Sequence, residues 1–566
     1  MKLSFAIISR TVLFQTIAFA TLSSLSASDE SLRGSGYQNK TQTLENVECT
    51  LFLKISRLSI PEEEKILTEE TWTCELDNSN QTEDFGIKRN AHTTLDVKGI
   101  DNKFFTSQVT KSGHSRLFAS EVIVGGSNDD PLFEISPTAH VQIFEDPDDP
   151  GRSGRRGFKR ELVTSSGTLK TLVVRVIAKN GAEPTADISQ LRSDVFEDQL
   201  CLKSQYEACS HGRLKIEPFH GTTATGQEIN GGVVNVKISI DPSDGNRDKL
   251  ETKARERATE IYGELSSQFD LVMFCIPPGT GDWIAYAYIN RFDSYFNDKW
   301  CSSVSTQVHE VGHNLGLAHS GEGSSSYGDQ SGMMGFSYEM DDSPEMCFNP
   351  AKNYQLGWYI EQQKFLNPLT DILAKTKGNN RQYILNGVDD FQFGRDDSED
   401  KLISLRLKQQ NSREDYYIGF NRKTGMNSET MENANTVLIV KKTGGPIEYG
   451  QSWKVSILSA IGDSYTIENF DGSSFHVTIE LLSIVGKDAK INVLVTNAAL
   501  CDQVFDSYEL KYKNKRRRGC GWVAKRKGRR CSKSWRKQLL SDWCPRTCGS
   551  CPDTASFNKI IFDDNN

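Results

Sequence analysis

Between about Ser28 and Arg160, strand-like apolar runs alternate with polar loops. Cys49-Thr50-Leu51-Phe52-Leu53-Lys54-Ile55 and His140-Val141-Gln142-Ile143-Phe144 are examples, and they predict a β-rich N-terminal part in which Cys49 and Cys74 can pair. Strand patterns resume at residues 169–176 and 232–240. Residues 248–267 are rich in Ala, Glu, Lys and Arg and predict an amphipathic helix. Leu271-Val272-Met273-Phe274-Cys275 reads as a buried strand closed by Pro277-Pro278-Gly279. Trp283-Ile284-Ala285-Tyr286-Ala287-Tyr288-Ile289 alternates with period two, as a strand with one exposed face would. Such a strand can take a peptide as an added strand, or be a plain edge. Helices are predicted at 303–315 and 347–359. Strands and helices therefore alternate from 169 to 359, which predicts an α/β layer. Residues 366–500 differ: helical periodicity is weak, and short strand-like runs recur at 402–407, 416–420, 437–440, 475–479 and 491–495. That spacing predicts a β-sandwich.

Length and composition make the chain globular and multidomain. It has 566 residues, 37% hydrophobic and 25% charged, which excludes wholesale disorder. The net charge of −9 is unevenly spread. Between Cys501 and Cys551, fifteen Lys/Arg stand against four Asp/Glu, a surplus of +11 that leaves −20 for the rest. The last segment is thus a separate unit. At the other end, Lys2 and Arg10 flank the early part, and Thr11 to Ala20 is mostly apolar. Residues 1–27 are expected to be a secretory signal cleaved after Ala20 or Ala27. The apolar stretch is short for a bilayer span, and no later segment reaches 18 consecutive apolar residues. An exported protein without a membrane span after signal removal is expected. Thirteen cysteines fit an oxidising, extracellular compartment. Asn39-Lys40-Thr41 and Asn80-Gln81-Thr82 are glycosylation acceptors. An acidic loop at 145–151 precedes Arg152-Ser153-Gly154-Arg155-Arg156-Gly157-Phe158-Lys159-Arg160, a run suited to a processing protease. Residues 28–160 are accordingly expected to be a propeptide, making the protein a zymogen. A constitutive N-terminal domain followed by a solvated linker is the rival. No Pro-Arg-Cys-Gly run is present to supply a thiolate latch.

The chemistry is concentrated in His309-Glu310-Val311-Gly312-His313-Asn314-Leu315-Gly316-Leu317-Ala318-His319, which holds three of the chain's nine histidines. On a helix His309 and His313 lie one turn apart on one face, where two neutral imidazoles can bind one Zn²⁺. Glu310 is rotated about 100° from His309 and can take a proton from a water held there without ligating the metal. Gly316 lets the chain leave the helix at low steric cost. His319 can then return as a third nitrogen ligand, leaving a fourth position open, as catalytic sites require. Six cysteines, at 501, 520, 531, 544, 548 and 551, crowd the basic end. A segment of ~50 residues buries little core, so three disulfides are expected to staple it. The Cys548-x-x-Cys551 pair leaves zinc binding as the rival. Seven cysteines remain, an odd number, so one thiol among Cys201, Cys209, Cys275, Cys301 and Cys347 is expected to stay free.

The motif run, continuing into Ser320, resembles the gametolysin-type metallopeptidases of the metzincin group. Tyr327-Gly328-Asp329, Met333-Met334-Gly335, Trp283-Ile284-Ala285-Tyr286, Cys347-Phe348-Asn349 and Leu356-Gly357-Trp358 are similar to that family as well. The resemblance implies zinc on His309, His313 and His319, with Glu310 as general base. It also implies a methionine turn under the metal, with Met334, which directly precedes Gly335, as the methionine and Met333 as the alternative. Many metzincins place a tyrosine two residues after that methionine; Phe336 stands there, with Tyr338 two further on. The end of the chain, through Cys544-Pro545-Arg546-Thr547-Cys548-Gly549-Ser550-Cys551, resembles the ShK toxin-like (ShKT) module. That resemblance implies the disulfides Cys501–Cys551, Cys520–Cys544 and Cys531–Cys548.

The expected organisation is a signal at 1–27, a β-rich propeptide at 28–160 and an α/β metzincin-like zinc peptidase domain at 161–360. A β-sandwich-like domain at 361–500, an ShKT-like module at 501–551 and a tail at 552–566 follow. The expected function is a secreted zinc endopeptidase acting on extracellular-matrix or cell-wall proteins and glycoproteins. The basic end can dock to an anionic polysaccharide or surface. Export makes nucleic acid an unexpected partner. The alternative is a matrix-binding or adhesive protein with a non-catalytic zinc site, against which the intact Glu310 counts.

Overall fold

The computed structural model describes residues 41–60, 65–76, 94–108, 110–127, 130–145, 164–244, 247–335, 342–373, 379–394, 401–497, 510–515, 518–536 and 538–548. The expected signal segment, Asn39, Asn80, the basic run 152–160, Phe336, Tyr338, Cys501 and Cys551 lie outside the described residues.

Among the described residues, fourteen strands precede the motif helix. The first six are β1 (Gln42–Ile60), β2 (Lys65–Leu76), β3 (Thr94–Asp96), β4 (Ser115–Ser127), β5 (Asp130–Ile135) and β6 (Val141–Glu145). Next come β7 (Gly167–Ile177), β8 (Leu214–Pro218) and a small hairpin of β9 (Gly221–Thr222) and β10 (Glu228–Ile229). The last four are β11 (Val233–Lys237), β12 (Leu271–Ile276), β13 (Trp283–Tyr288) and β14 (Asp293–Asn297). All but the hairpin join one twelve-stranded sheet, in the order β11-β7-β12-β14-β13-β1-β2-β3. β8 pairs with β7, and β4 pairs with β1 while carrying β5 and β6. β7, β8, β11, β12 and β14 run parallel, whereas β13 is antiparallel to β14.

The apolar run of β12 has the cause expected for a parallel strand covered on both faces. Val272 and Phe274 face one core, which holds Leu250, Ala254 and Ala258 of the Arg247–Tyr262 helix. Met273 and Cys275 face the other, which holds Val308 and Val311 of the motif helix (Val304–Asn314). The Arg247–Tyr262 helix stops earlier than its sequence pattern suggests, because Gly263 turns the chain at φ +89°. β13 corrects one expectation: all six of its residues are buried, and neither face is open. Trp283, Tyr286 and Tyr288 lie in one core and Ile284 and Ala285 in the other, so the burial of β13 does not follow strict alternation. Its free edge is covered by β1.

The sandwich is built from β15 (Ser320–Glu322), β16 (Gln363–Leu366), β17 (Asn380–Leu385), β18 (Lys401–Leu402), β19 (Ser404–Leu407) and β20 (Glu414–Asn421). It is completed by β21 (Thr436–Thr443), β22 (Ser452–Leu458), β23 (Ser464–Ile467), β24 (Phe475–Val485) and β25 (Asp488–Asn497). The six-stranded sheet β15-β22-β21-β20-β19-β16 and the five-stranded sheet β18-β17-β25-β24-β23 share one core. Leu405, Ile418 and Ile439 from the first meet Tyr383, Ile479 and Ile491 from the second. The run 402–407 is not one strand: it changes sheets at Ile403. The helix expected over 347–359 is confined to Pro350–Leu356, because Asn349 caps Ala351 and Lys352 and Gly357 ends it in the left-handed region. Disulfides join Cys49 to Cys74, Cys209 to Cys347, Cys275 to Cys301, Cys520 to Cys544 and Cys531 to Cys548. The free thiol among the described residues is the buried Cys201. The basic end has a small core of its own around Leu510, Val523 and Leu540. No helix among the described residues is long and apolar enough to cross a membrane.

Candidate metal centre

Ser303 opens the motif helix by accepting a hydrogen bond from the Thr306 amide, and all eleven helix residues are buried. Such complete burial is unusual for a helix carrying His309, Glu310, His313 and Asn314, so each polar group needs a purpose or a partner. Asn314 has partners: its amide donates to the carbonyls of Tyr288 and Asp293 and ties the helix to β13 and the start of β14. The helix ends where Gly316 adopts φ +86° and its amide reaches the His313 carbonyl at 2.9 Å. A side chain at Gly316 would also run into Asn290. This turn sends His319 back toward the helix.

The three imidazoles meet. Their ligand-capable nitrogens all lie within 4.8 Å of one another. His309 Nδ1 donates to the Met333 carbonyl and His313 Nδ1 to the Leu317 carbonyl, each at 2.8 Å. In a neutral imidazole, a donating Nδ1 leaves Nε2 with a bare lone pair. His313 Nε2 lies 3.1 Å from His319 Nε2. Burial depresses His313 to about 3 and drives His319 well below the ordinary histidine value, the latter aided by His313 and His309. Neutral, buried, convergent nitrogens, with the outer ring atoms of His309 and His313 held by carbonyls, are the donor set of a three-histidine metal site. The residues present fit zinc.

Glu310 is buried, and neither carboxylate oxygen has a hydrogen-bond partner among the described residues. Burial pushes its acid up to about 8, with the Arg57 guanidinium opposing. Met334 packs its sulfur against the motif helix: a Cβ on Gly312 would sit 2.6 Å from Met334 Sδ. Met333 contributes its carbonyl, so the two methionines have separate parts. The turn is fixed by Ser320 N to Met334 O at 3.0 Å and by Met333 N to Cys347 O at 2.9 Å. The Cys209–Cys347 bridge fastens that segment to the Leu202–Cys209 helix, whose Tyr206 hydroxyl donates to Val308 O of the motif helix at 2.8 Å.

Two contributions were not assigned from the sequence. Tyr327, visible there only as part of Tyr327-Gly328-Asp329, places its hydroxyl 2.9 Å from His319 Nε2, with ring centroids 4.1 Å apart. It is the tyrosine that the described structure puts at the metal centre. The sandwich also holds the third histidine. Ser452 N donates to His319 O at 3.1 Å, and β15 pairs in parallel with β22 through Ser320↔Ser452. Asn349 Nδ2 joins Asp329, Ser320 and Ser452 beneath this crossing.

Buried histidines converging beside an acidic side chain define a metal-dependent hydrolytic centre. Residues 170–433 match the family model of gametolysin peptidase M11, which supports a gametolysin-type metallopeptidase. The match spans the motif helix, the methionine turn and the first part of the sandwich. No curated protein and no solved structure matches the chain.

Proposed function

We propose that the protein is a secreted, zinc-dependent endopeptidase of the metzincin group acting on extracellular-matrix or cell-wall proteins and glycoproteins. The convergence of His309, His313 and His319 beside the unpartnered carboxylate of Glu310 carries this reading. These three histidines hold the metal, which when bound supplies Lewis-acid polarisation of a carbonyl and of a water. Glu310 accepts a proton from the attacking water and returns it to the leaving amine. The burial of the site keeps bulk water from competing. The expected signal, the thirteen cysteines and the acceptors Asn39 and Asn80 support export and glycosylation. The disulfides Cys520–Cys544 and Cys531–Cys548 are two of the three that an ShKT-like module would have. The basic end is the part suited to an anionic wall or matrix surface.

The test is Glu310→Ala. The variant should bind one zinc per chain while kcat/KM on an unstructured protein falls by at least ~100-fold. Wild-type turnover in the variant would remove Glu310 from the role of base.

A further inference from the structure

β1 lies where an extended peptide would lie. Without β1, β13 would be an open antiparallel edge beside the motif helix, and sheet edges take peptides by strand addition. β1 pairs antiparallel with it through Lys54↔Tyr288, Ile55↔Ala287, Ser56↔Tyr286 and Leu58↔Trp283. The register slips between Ser56 and Leu58, so the irregularity falls at Arg57. Arg57 is 1% exposed, and its guanidinium lies over the Tyr327 ring, 4.6 Å from the centroid. Tyr327 in turn touches His319, and the Arg57 charge reaches Glu310, His313 and His319. β1 therefore does more than cover the edge: it delivers a cation to the metal centre.

β1–β6 meet the remainder through the β1–β13 ladder, through Phe52 in a core with Leu172 and Trp283, through Ile289 in their own core, and through polar pairs: Lys54–Asp248 at 3.5 Å, Lys111–Glu448 at 3.0 Å and Arg291–Glu75 at 3.9 Å. The buried charges on the other side hold partners of their own. Arg291 pairs with Asp293 at 2.9 Å, and Glu251 accepts from Tyr286 and Tyr288 at 2.8 and 2.7 Å. Removing β1 thus leaves no lone buried ion there, which is the usual penalty for separating a charged interface.

We propose that β1 is an internal pseudosubstrate: β13 is the docking strand for extended peptides, the site beside Tyr327 receives a basic side chain, and Arg57 fills it in the full-length chain. The substrates are then extended polypeptide segments carrying Arg or Lys at that position. The aromatic face of Tyr327, over which Arg57 lies, is a surrounding that favours a guanidinium. This rests on the endopeptidase reading for the word substrate, but binding tests it without turnover.

The experiment uses the full-length, zinc-loaded chain. Fluorescent extended peptide hydroxamates that differ only in Arg, Leu or Asp at one position are titrated against wild type, Arg57→Lys, Arg57→Ala and Arg57→Glu. Hydrolysis of matching quenched peptides is followed in parallel. Zinc content and thermal midpoint report that each variant is folded. Arg57→Ala and Arg57→Glu should bind the Arg probe at least tenfold more tightly than wild type, and Arg57→Lys should stay close to wild type. In the opened variants the Arg probe should exceed the Leu and Asp probes by at least tenfold. Equal affinity of wild type, Arg57→Ala and Arg57→Glu overturns the pseudosubstrate, and equal affinity for the three probes overturns the basic subsite. If binding follows expectation and no variant cleaves any peptide, the endopeptidase reading fails while the strand assignment stands. If wild type binds and cleaves as well as Arg57→Ala, the reverse holds.

Discussion

Gly312 and Tyr327 show what single residues do at this centre. Gly312 sits mid-helix, where glycine costs about 1 kcal/mol relative to alanine. Here the missing Cβ is what lets Met334 lie against the helix backbone. Gly312→Ala should therefore destabilise despite its better helix propensity, by about 1–3 kcal/mol for overpacking. Urea unfolding of the zinc-loaded protein checks the sign, and a stabilised variant would mean that Met334 moves aside freely. Tyr327 is the second case. Its hydroxyl touches His319 from a loop rather than from the position after the methionine turn. A neutral phenol there can donate to charge that develops on the substrate oxygen. Tyr327→Phe should keep its zinc yet lose roughly tenfold or more in kcat, with KM changing less. A loss confined to zinc content would instead make Tyr327 a support for His319.

Among the elements, the motif helix was the most legible in the sequence. Its histidine spacing and the Gly316 exit are local facts. β13 was less so, because a period-two pattern reports alternation and not what covers each face. Tyr286 and Tyr288 look like an outward polar row, but their hydroxyls donate to the buried Glu251. The break at Ile403 was hidden too, since one apolar run feeds two sheets. β21 supplies a prediction at this scale. Burial pushes Lys442 down from 10.5 to about 7; Glu448 and Asp415 oppose the fall, Arg406 adds to it, and the buried Lys352 lies nearby. Between those values the unfolded chain carries a proton that the folded chain has released. Stability must then rise with pH from about 7 toward 10.5. The thermal midpoint of wild type should climb between pH 7 and pH 9, and climb less in Lys442→Met. Identical slopes would show that Lys442 stays charged against the carbonyls of Gly445 and Glu448.

At the scale of the whole molecule, three remote stretches of chain build one centre. The motif helix brings two histidines, the sandwich strand β22 steadies the third, and β1 brings Arg57. The basic end adds a charge of opposite sign to the rest of the chain. If that charge docks the protein to an anionic polysaccharide, retention should fall steeply as salt rises from about 0.05 to 0.5 M, because the screening length shrinks over that range. Retention that ignores salt would assign the docking to other contacts.

The sequence by itself marked the candidate metal ligands, the candidate base and the strand-rich second half, because spacing along a helix and alternation along a strand are local; the methionine turn was expected from the family resemblance. It also limited the free thiol to five cysteines, of which the fold leaves Cys201 unpaired. Tertiary structure alone decided that Tyr327 reaches His319, that Ser452 holds the third histidine's carbonyl, and that Arg57 lies over Tyr327. Those contacts join residues 8, 133 and 270 positions apart. Nothing in a local pattern records such pairings, since they arise only when the sheet order brings β1 to the edge of β13 and β22 alongside β15.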